Sequence, residues 1–141
     1  TKVNSSLAAR RWCKLTLEDA IWYRLNNQIP SLSGRIYPVT IDQEAPLPSV
    51  AYKRISTRRD PTLKSQGQFY STFQFDILAS NYTEMREMRE RIRLAFEDAI
   101  GEYAPGAPYI QSVDILNEMD GFDTGTEIRL GMIEIEYLYT L

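Results

Sequence analysis

Between Phe69 and Ala79 the sequence FYSTFQFDILA alternates apolar and polar side chains. This alternation is the period of a β-strand with one covered face and one open face. One face takes the apolar set, Phe69, Phe73, Phe75 and Ile77, and the other takes Tyr70, Thr72, Gln74 and Asp76. Another part of the chain must therefore cover the apolar face of this strand.

The segment directly after this strand predicts an amphipathic helix. Asn81 can cap its start, with Glu84 as the reciprocal partner. Apolar residues recur at a spacing of about 3.6 residues and form one stripe: Met85, Met88, Ile92, Ala95, Phe96 and Ala99. Gly101 and Pro105 end the segment. Helix and strand together predict a helical layer packed on a sheet.

The remaining segments complete an α+β domain. Thr16 is a good N-cap, and Pro30 follows a helical pattern from about Leu17 to Gln28. Four further segments read as strands, GRIYPV, APLPSVAYKRIS, APYIQSVDILNEM and TEIRLGMIEIEYLYTL. We therefore expect an antiparallel sheet of about four strands with two helices packed on one face. Residues 1–15 are expected to be a basic N-terminal arm, and residues 16–141 a single domain.

The last strand has apolar residues in both of its phases. Ile128, Leu130 and Met132 keep one phase, whereas Ile133, Ile135, Tyr137 and Tyr139 keep the other. Such a change predicts either a β-bulge, which the neighbouring Gly131 favours, or a strand covered on both faces. Cover on both faces would require another subunit.

The residue inventory excludes several classes of chemistry. The chain has no histidine and one cysteine among its 141 residues. Histidine-dependent nucleophiles and the common zinc sites are therefore absent. The pairs Glu134/Glu136 and Asp98/Glu102 fit a strand and a wet helix face better than acid–base catalysis. We expect no enzymatic activity, no cofactor and no bound metal. No run approaches the about 18 apolar residues of a membrane span, and a single cysteine suits synthesis in a reducing cytoplasm.

Charge is distributed unevenly along the chain. Residues 1–66 carry 11 basic and 5 acidic side chains, whereas residues 67–141 carry 5 basic and 14 acidic ones. This asymmetry permits one basic and one acidic surface, which head-to-tail self-association can use. Five basic residues cluster in one part of the chain, Lys53, Arg54, Arg58, Arg59 and Lys64. The cluster fits either contact with an anionic partner such as nucleic acid or a solvated segment that keeps sheet edges from aggregating.

Two blocks of the sequence carry a family resemblance. RIYPVTIDQEAPLPSVAYKRIS resembles a pattern of small tail-completion proteins of long-tailed bacteriophages. In that pattern a first helix leads into R-(I/V)-Y-P, a loop, and A-x-L-P-x-(V/I)-x-Y-x-x-(I/V)-S. FQFDILASNYTEMREMRERIRLAF is similar to the second block of the family, a strand followed by an amphipathic helix. Together the blocks cover most of residues 17–100.

The resemblance implies a tail terminator. Such a protein forms a ring, usually a hexamer, that caps the tail tube and joins it to the head connector at the neck of the virion. It implies as partners other copies of itself, the tail tube protein and the head–tail connector protein, with DNA crossing the lumen without sequence-specific binding. It further implies synthesis in the cytoplasm of the host bacterium, a place in the tail of the virion, and no membrane partner.

Candidate contact residues follow from this hypothesis. The loop from Thr40 to Leu47 would be a contact element held by prolines, or else a surface loop whose prolines keep strand edges unpaired. We expect the subunit or tube interface at Asp42, Gln43, Glu44, Tyr70, Leu138 and Tyr139. We expect the lumen or the next ring near Arg58, Arg59 and Lys64. Two alternatives stay open, a head-completion or connector protein on the portal side, and a small cytoplasmic carboxylate-using enzyme or ligand-binding domain.

Overall fold

The computed structural model describes residues 15–41, 44–59, 68–125 and 127–140. The predicted arm, residues 1–15, falls outside this part of the chain except for Leu15. Two helices and six strands follow in order: α1 (Leu17–Gln28), β1 (Ile36–Pro38), β2 (Ser49–Arg59), β3 (Gln68–Ala79), α2 (Tyr82–Phe96), β4 (Gly101–Glu102), β5 (Tyr109–Asp123) and β6 (Ile128–Thr140). A short 3-10 helix, Pro30–Leu32, follows α1.

The expected sheet of about four antiparallel strands is wrong. The sheet has six strands in the order β1-β2-β3-β6-β5-β4, and it is mixed, because β1 runs parallel to β2. All other neighbours are antiparallel. Strand β1 lies within GRIYPV, which the sequence predicted as a strand, but its parallel pairing with β2 was not predicted. Strand β4 is only two residues long, too short to show a period in the sequence. The overall α+β class is nevertheless correct.

Both helices contribute to one apolar core on a single face of the sheet. The core takes alternate residues of β3 and β6, including Phe73, Phe75 and Tyr137. Leu17, Ile21 and Leu25 from α1 and Met85, Ile92 and Phe96 from α2 belong to the same cluster. The Phe96 ring lies at its centre, 5.4 Å from the Phe75 ring and 5.6 Å from the Tyr137 ring between centroids. We call this the helix side of the sheet and the opposite side the open face.

Both helices begin where the sequence predicts. Thr16 caps α1 with a capping box, in which its hydroxyl accepts from the Asp19 amide and the Asp19 carboxylate accepts from the Thr16 amide. Asn81 caps α2 by accepting from the Glu84 amide at 2.8 Å. The Glu84 carboxylate accepts from Ser80. Neither of these helices, within the ranges that the structure describes, is long and apolar enough to cross a membrane.

Strand β6 pairs regularly and contains no β-bulge, so the bulge that the sequence favoured is not present. Its pairing with β3 and β5 is continuous through Gly131, Met132 and Ile133. Odd-numbered residues from Gly131 face the helix side, and Leu130 and Met132 face the open side. The glycine is present because α2 passes close to it, with the Met85 side chain occupying the space of a Cβ. The strand therefore carries apolar residues on both faces.

Candidate assembly surface

The open face is the part of the described sheet that neither helix covers. The pairing register places Leu78 beside Leu130 and Tyr70 beside Leu138 on this face. Directly paired antiparallel residues share a face, so the open face has an apolar end near Leu130 and an aromatic end near Tyr70. Gln74 and Glu134 form a polar row between the two ends.

An open cavity of about 440 Å³ lies at the apolar end. Leu78, Met119, Leu130 and Met132 line it, together with Gly121. Met119 and Met132 are directly paired across β5 and β6, and Met119 is 53% exposed. These residues were not predicted from the sequence, although the apolar phase formed by Ile128, Leu130 and Met132 pointed to an apolar surface here. The interpretation of that phase as a β-bulge was wrong.

The aromatic end brings together residues that the sequence assigned to different surfaces. The Arg58 guanidinium lies over the Tyr70 ring, 4.1 Å from its Cζ to the centroid. Its Nη2 lies 3.7 Å from the Glu136 carboxylate. Leu138 is the cross-strand neighbour of Tyr70. The predicted lumen residue Arg58 and the predicted interface residues Tyr70 and Leu138 thus form one continuous patch.

Tyr139 lies on the opposite side of the sheet from this patch. It is 3% exposed, and it belongs to the core. Its hydroxyl is 2.8 Å from Ser71 Oγ, which is 2.8 Å from Thr57 Oγ1. Tyr139 is therefore the buried end of a hydrogen-bond chain that joins β6, β3 and β2.

The other predicted contact residues lie apart or fall outside the described ranges. Arg59 is exposed at the end of β2, and Glu44 is exposed in the turn before β2. Asp42, Gln43 and Lys64 lie outside the residues that the structure describes.

Side chain to backbone bonds hold the segment that precedes β2. Arg35 Nη1 donates to the Leu47 carbonyl at 3.1 Å, and the Ser49 hydroxyl donates to the Pro46 carbonyl. These contacts fix a segment in which the proline nitrogens have no hydrogen to donate.

Burial changes the acidity of three tyrosines near the core. Burial raises the pKa of Tyr137 well above its usual value, with a smaller contribution from Tyr103. Burial also raises the pKa of Tyr103, and the Arg24 guanidinium opposes this only in part. For Tyr52, burial raises the pKa, and the carboxylates of Asp19 and Glu18 add to the effect. All three hydroxyls favour the neutral form, as expected for structural tyrosines.

Solved structures share this fold at low sequence identity. A chain in the structure of the virion of a native gene transfer agent particle matches with a TM-score of 0.63 and 11% identity, over 89% of this chain and 95% of that chain. A second solved structure, whose name carries no functional information, matches with a TM-score of 0.53 and 10% identity, over 88% of this chain and 96% of its own. No protein-family model and no curated protein matches the sequence. The likeness is therefore one of fold.

Proposed function

We propose that this chain is a structural protein of a phage-like virion, and that it acts there as a tail terminator. In this role a ring of copies, a hexamer by the family resemblance, caps the tail tube and joins it to the head connector. The observation that carries the proposal is the extent of the fold likeness. It spans 89% of this chain and 95% of a chain from a gene transfer agent virion, so the two chains share a whole domain.

The placement of the two sequence blocks supports the same role. The first block contains β1 and β2 as far as Ser56, and the second contains the end of β3 and all of α2. Strands β2 and β3 are direct neighbours, and α2 packs in the core beneath β3. The residues that carry the resemblance therefore form one connected half of the domain.

The open face suits a protein whose partners are other proteins. It carries an apolar end and an aromatic end that the helices leave uncovered. Contiguous apolar surface on a small protein commonly marks a site of protein association. We assign the partners accordingly: other copies of this chain, the tail tube protein and the head–tail connector protein.

Any contact with DNA in this role is passive. The chain carries a net charge of −3, and Arg58 is already engaged by Tyr70 and Glu136. Tight binding to phosphates requires several free basic side chains. A lumen through which DNA slides needs weak contacts, and the exposed Arg59, which lies at the end of β2 apart from the Tyr70 patch, can provide one.

Electron microscopy of particles made without this protein tests the proposal. A tail terminator predicts tails of uncontrolled length that are not joined to heads. Heads that leak DNA beside tails of normal length would instead indicate a connector on the portal side. Density for a single copy away from the neck would contradict both roles.

The mass of the purified protein tests the ring directly. Light scattering coupled to size-exclusion chromatography, with and without isolated tail tubes, should give the mass of a closed oligomer. A monomer in both conditions, together with turnover of a small molecule, would favour the enzyme alternative.

A further inference from the structure

Among the described residues, the outer edge of β2 has no strand partner for most of its length. Strand β1 pairs with β2 only at Val50, Ala51 and Tyr52. From Lys53 to Arg59, no described backbone group pairs with the side of β2 that faces away from β3. Such an edge presents unpaired N–H and C=O groups to any strand that approaches it.

The outer edge of β5 is open in the same way at the other side of the sheet. Strand β4 pairs with β5 only at Tyr109 and Ile110. Among the described residues, the later part of this edge has one polar contact to its backbone, from Arg89 Nη1 to the Met119 carbonyl at 2.9 Å. Between Gln111 and Asn117 no described backbone group occupies this edge.

The open stretches of the two edges lie at the same level of the sheet. The cross-strand row that begins at Lys53 passes through β3 and β6 and ends at Asn117. The row that begins at Arg58 ends in the same way at Ser112. Strand β1 covers β2 beyond one end of this shared stretch, and β4 covers β5 beyond the other end. Successive antiparallel pairings also make β2 and β5 run in opposite directions. Rotation of a second copy about an axis along the strands therefore sets β2 antiparallel to β5 of the first copy.

The two edge strands carry opposite charges. Strand β2 contains four basic residues and no acidic ones: Lys53, Arg54, Arg58 and Arg59. Strand β5 contains four acidic residues and no basic ones: Asp114, Glu118, Asp120 and Asp123. Within the described residues Lys53 and Asp114 have no ion pair. Arg54 pairs with Glu18 and Arg58 with Glu136, and Glu118 and Asp120 share Arg89. Charge complementarity thus favours contact between the unlike edges and opposes contact between like ones.

Each edge also exposes one apolar side chain at a bulge. Ile55 is the additional residue at the bulge of β2 and is 47% exposed. Leu116 is the additional residue at a bulge of β5 and is 50% exposed. Arg54 and Ile115 lie in one cross-strand row of the sheet, which runs through β3 and β6. Ile55 follows Arg54 and Leu116 follows Ile115, so the two exposed side chains lie at the same level. When the edges meet, these two side chains can therefore bury each other.

We propose that copies of this chain associate edge to edge, with the β2 edge of one copy pairing with the β5 edge of the next. The partner at each edge is a second copy, and the inference rests on the proposed ring because it specifies how that ring closes. The contact is head-to-tail, and such contacts form a closed ring when the rotation between copies allows it. The sheets of all copies then form one continuous cylinder, in which each open face becomes either the inner or the outer wall.

Disulfide trapping tests this contact in the full-length chain. In a Cys13→Ser background, the double variant Ile55→Cys/Leu116→Cys should give a ladder of covalent oligomers under mild oxidation, ending at the size of the ring. Each single variant should stop at dimers, because one thiol per copy cannot extend a chain. The measurement is made on purified protein and on assembled particles by non-reducing electrophoresis.

The outcomes separate this inference from the proposed function. If the parent chain forms rings but the double variant gives no ladder, the rings use another surface and only the edge contact is overturned. If the parent chain forms no ring either alone or in particles, the proposed function fails as well.

A mixing experiment tests the polarity of the contact. Ile55→Asp and Leu116→Asp each disable one edge, so each variant alone should be monomeric, and an equimolar mixture should give only heterodimers. Leu94→Asp is the matched control, since Leu94 is 63% exposed on α2 away from both edges, and it should form rings as the parent does. Circular dichroism establishes that all three variants fold. Rings formed by either folded edge variant would overturn the inference.

Discussion

Gly131 lies so close to the Met85 side chain that a residue with a Cβ does not fit at position 131 unless one of the two moves. A Cβ at Gly131 would be 2.3 Å from the Met85 sulfur and 2.8 Å from its Cγ. Met85 is fully buried beneath β6, so its side chain has no solvent-filled space into which to move. This contact sets the distance between α2 and β6, both of which contribute to the core.

Gly131→Ala should therefore destabilise the protein. We expect a loss of about 1–3 kcal/mol in the free energy of unfolding, the usual cost of overpacking a core. Gly121→Ala is the matched control on the neighbouring strand, because its Cβ would meet Leu130 Cβ at an ordinary 3.4 Å, and we expect it to change stability by less than about 0.5 kcal/mol. Urea unfolding measures both.

A second background identifies the cause of the Gly131 effect. In a Met85→Ala chain the space beside Gly131 is empty, so Gly131→Ala should cost less there than in the parent. The difference is the coupling energy of the two sites. Equal costs in the two backgrounds would mean that Met85 is not the obstacle.

Tyr137 and Tyr139 allow a direct comparison of two buried hydroxyls. Both face the helix side of β6, but the Tyr139 hydroxyl bonds Ser71 at 2.8 Å, whereas the Tyr137 hydroxyl has no partner among the described residues. Tyr139→Phe should lower the free energy of unfolding by about 1 kcal/mol. Tyr137→Phe should leave it unchanged or raise it by up to about 1 kcal/mol, because a buried polar group without a partner opposes folding. A larger loss for Tyr137→Phe than for Tyr139→Phe in urea unfolding would contradict this assignment.

The raised tyrosine pKa values predict a loss of stability in alkali. Burial raises the pKa of Tyr137 and Tyr103 in the folded chain, whereas both ionise near pH 10 when unfolded. Above about pH 10 the unfolded chain therefore binds fewer protons than the folded chain, and stability falls as the pH rises. Each such tyrosine contributes a slope of up to about 1.4 kcal/mol per pH unit. Urea unfolding from pH 8 to pH 11 measures this slope, which Tyr137→Phe should reduce, and an equal slope in that variant would exclude Tyr137 as a source.

Periodic segments were the predictable part of this fold. The alternation in β3 and the apolar stripe of α2 follow from burial on one face, and burial requires a repeating pattern. Strand β3 begins one residue before the predicted range and ends with it. Helix α2 begins at its predicted cap but ends at Phe96, three residues before Ala99, the last residue of the predicted stripe. GRIYPV indicated strand β1, but its parallel pairing with β2 was not predictable, because pairing partners are set by tertiary contacts. Strand β4 was not predictable, because two residues carry no period.

The assembly surface shows a different limit of sequence reasoning. Tyr70 and Leu138 were placed on one surface from the sequence, and the register pairs them directly. Tyr139 was placed with them, although adjacent residues of a strand point to opposite sides, and the structure buries it. The positions of Ile55 and Leu116 on opposite edges were not visible, because bulges and sheet order depend on which strands become neighbours.

Arg89 connects α2 to the acidic strand β5, and its removal gives the last prediction. The side chain is 13% exposed, and its guanidinium bonds the Glu118 and Asp120 carboxylates and the Met119 carbonyl. Arg89→Ala leaves two neighbouring carboxylates without their shared cation, so we expect a local loss of about 1–3 kcal/mol. Since about 1.4 kcal/mol is a factor of ten in an equilibrium, amide hydrogen exchange from Glu118 to Asp120 should accelerate roughly tenfold to a hundredfold.

Two matched variants test whether the loss of protection in β5 comes from the geometry of the Arg89 guanidinium. Arg89→Lys keeps the charge but lacks the planar fork that reaches three acceptors at once, so it should restore only part of the protection. Arg91→Ala removes an exposed arginine of the same helix and should leave exchange in β5 as it is in the parent. Exchange in Arg89→Ala that matches Arg91→Ala would mean that β5 is held by its pairing with β6 alone. In that case the position of the acidic edge does not depend on α2, and the helix could be altered without disturbing the contact between copies.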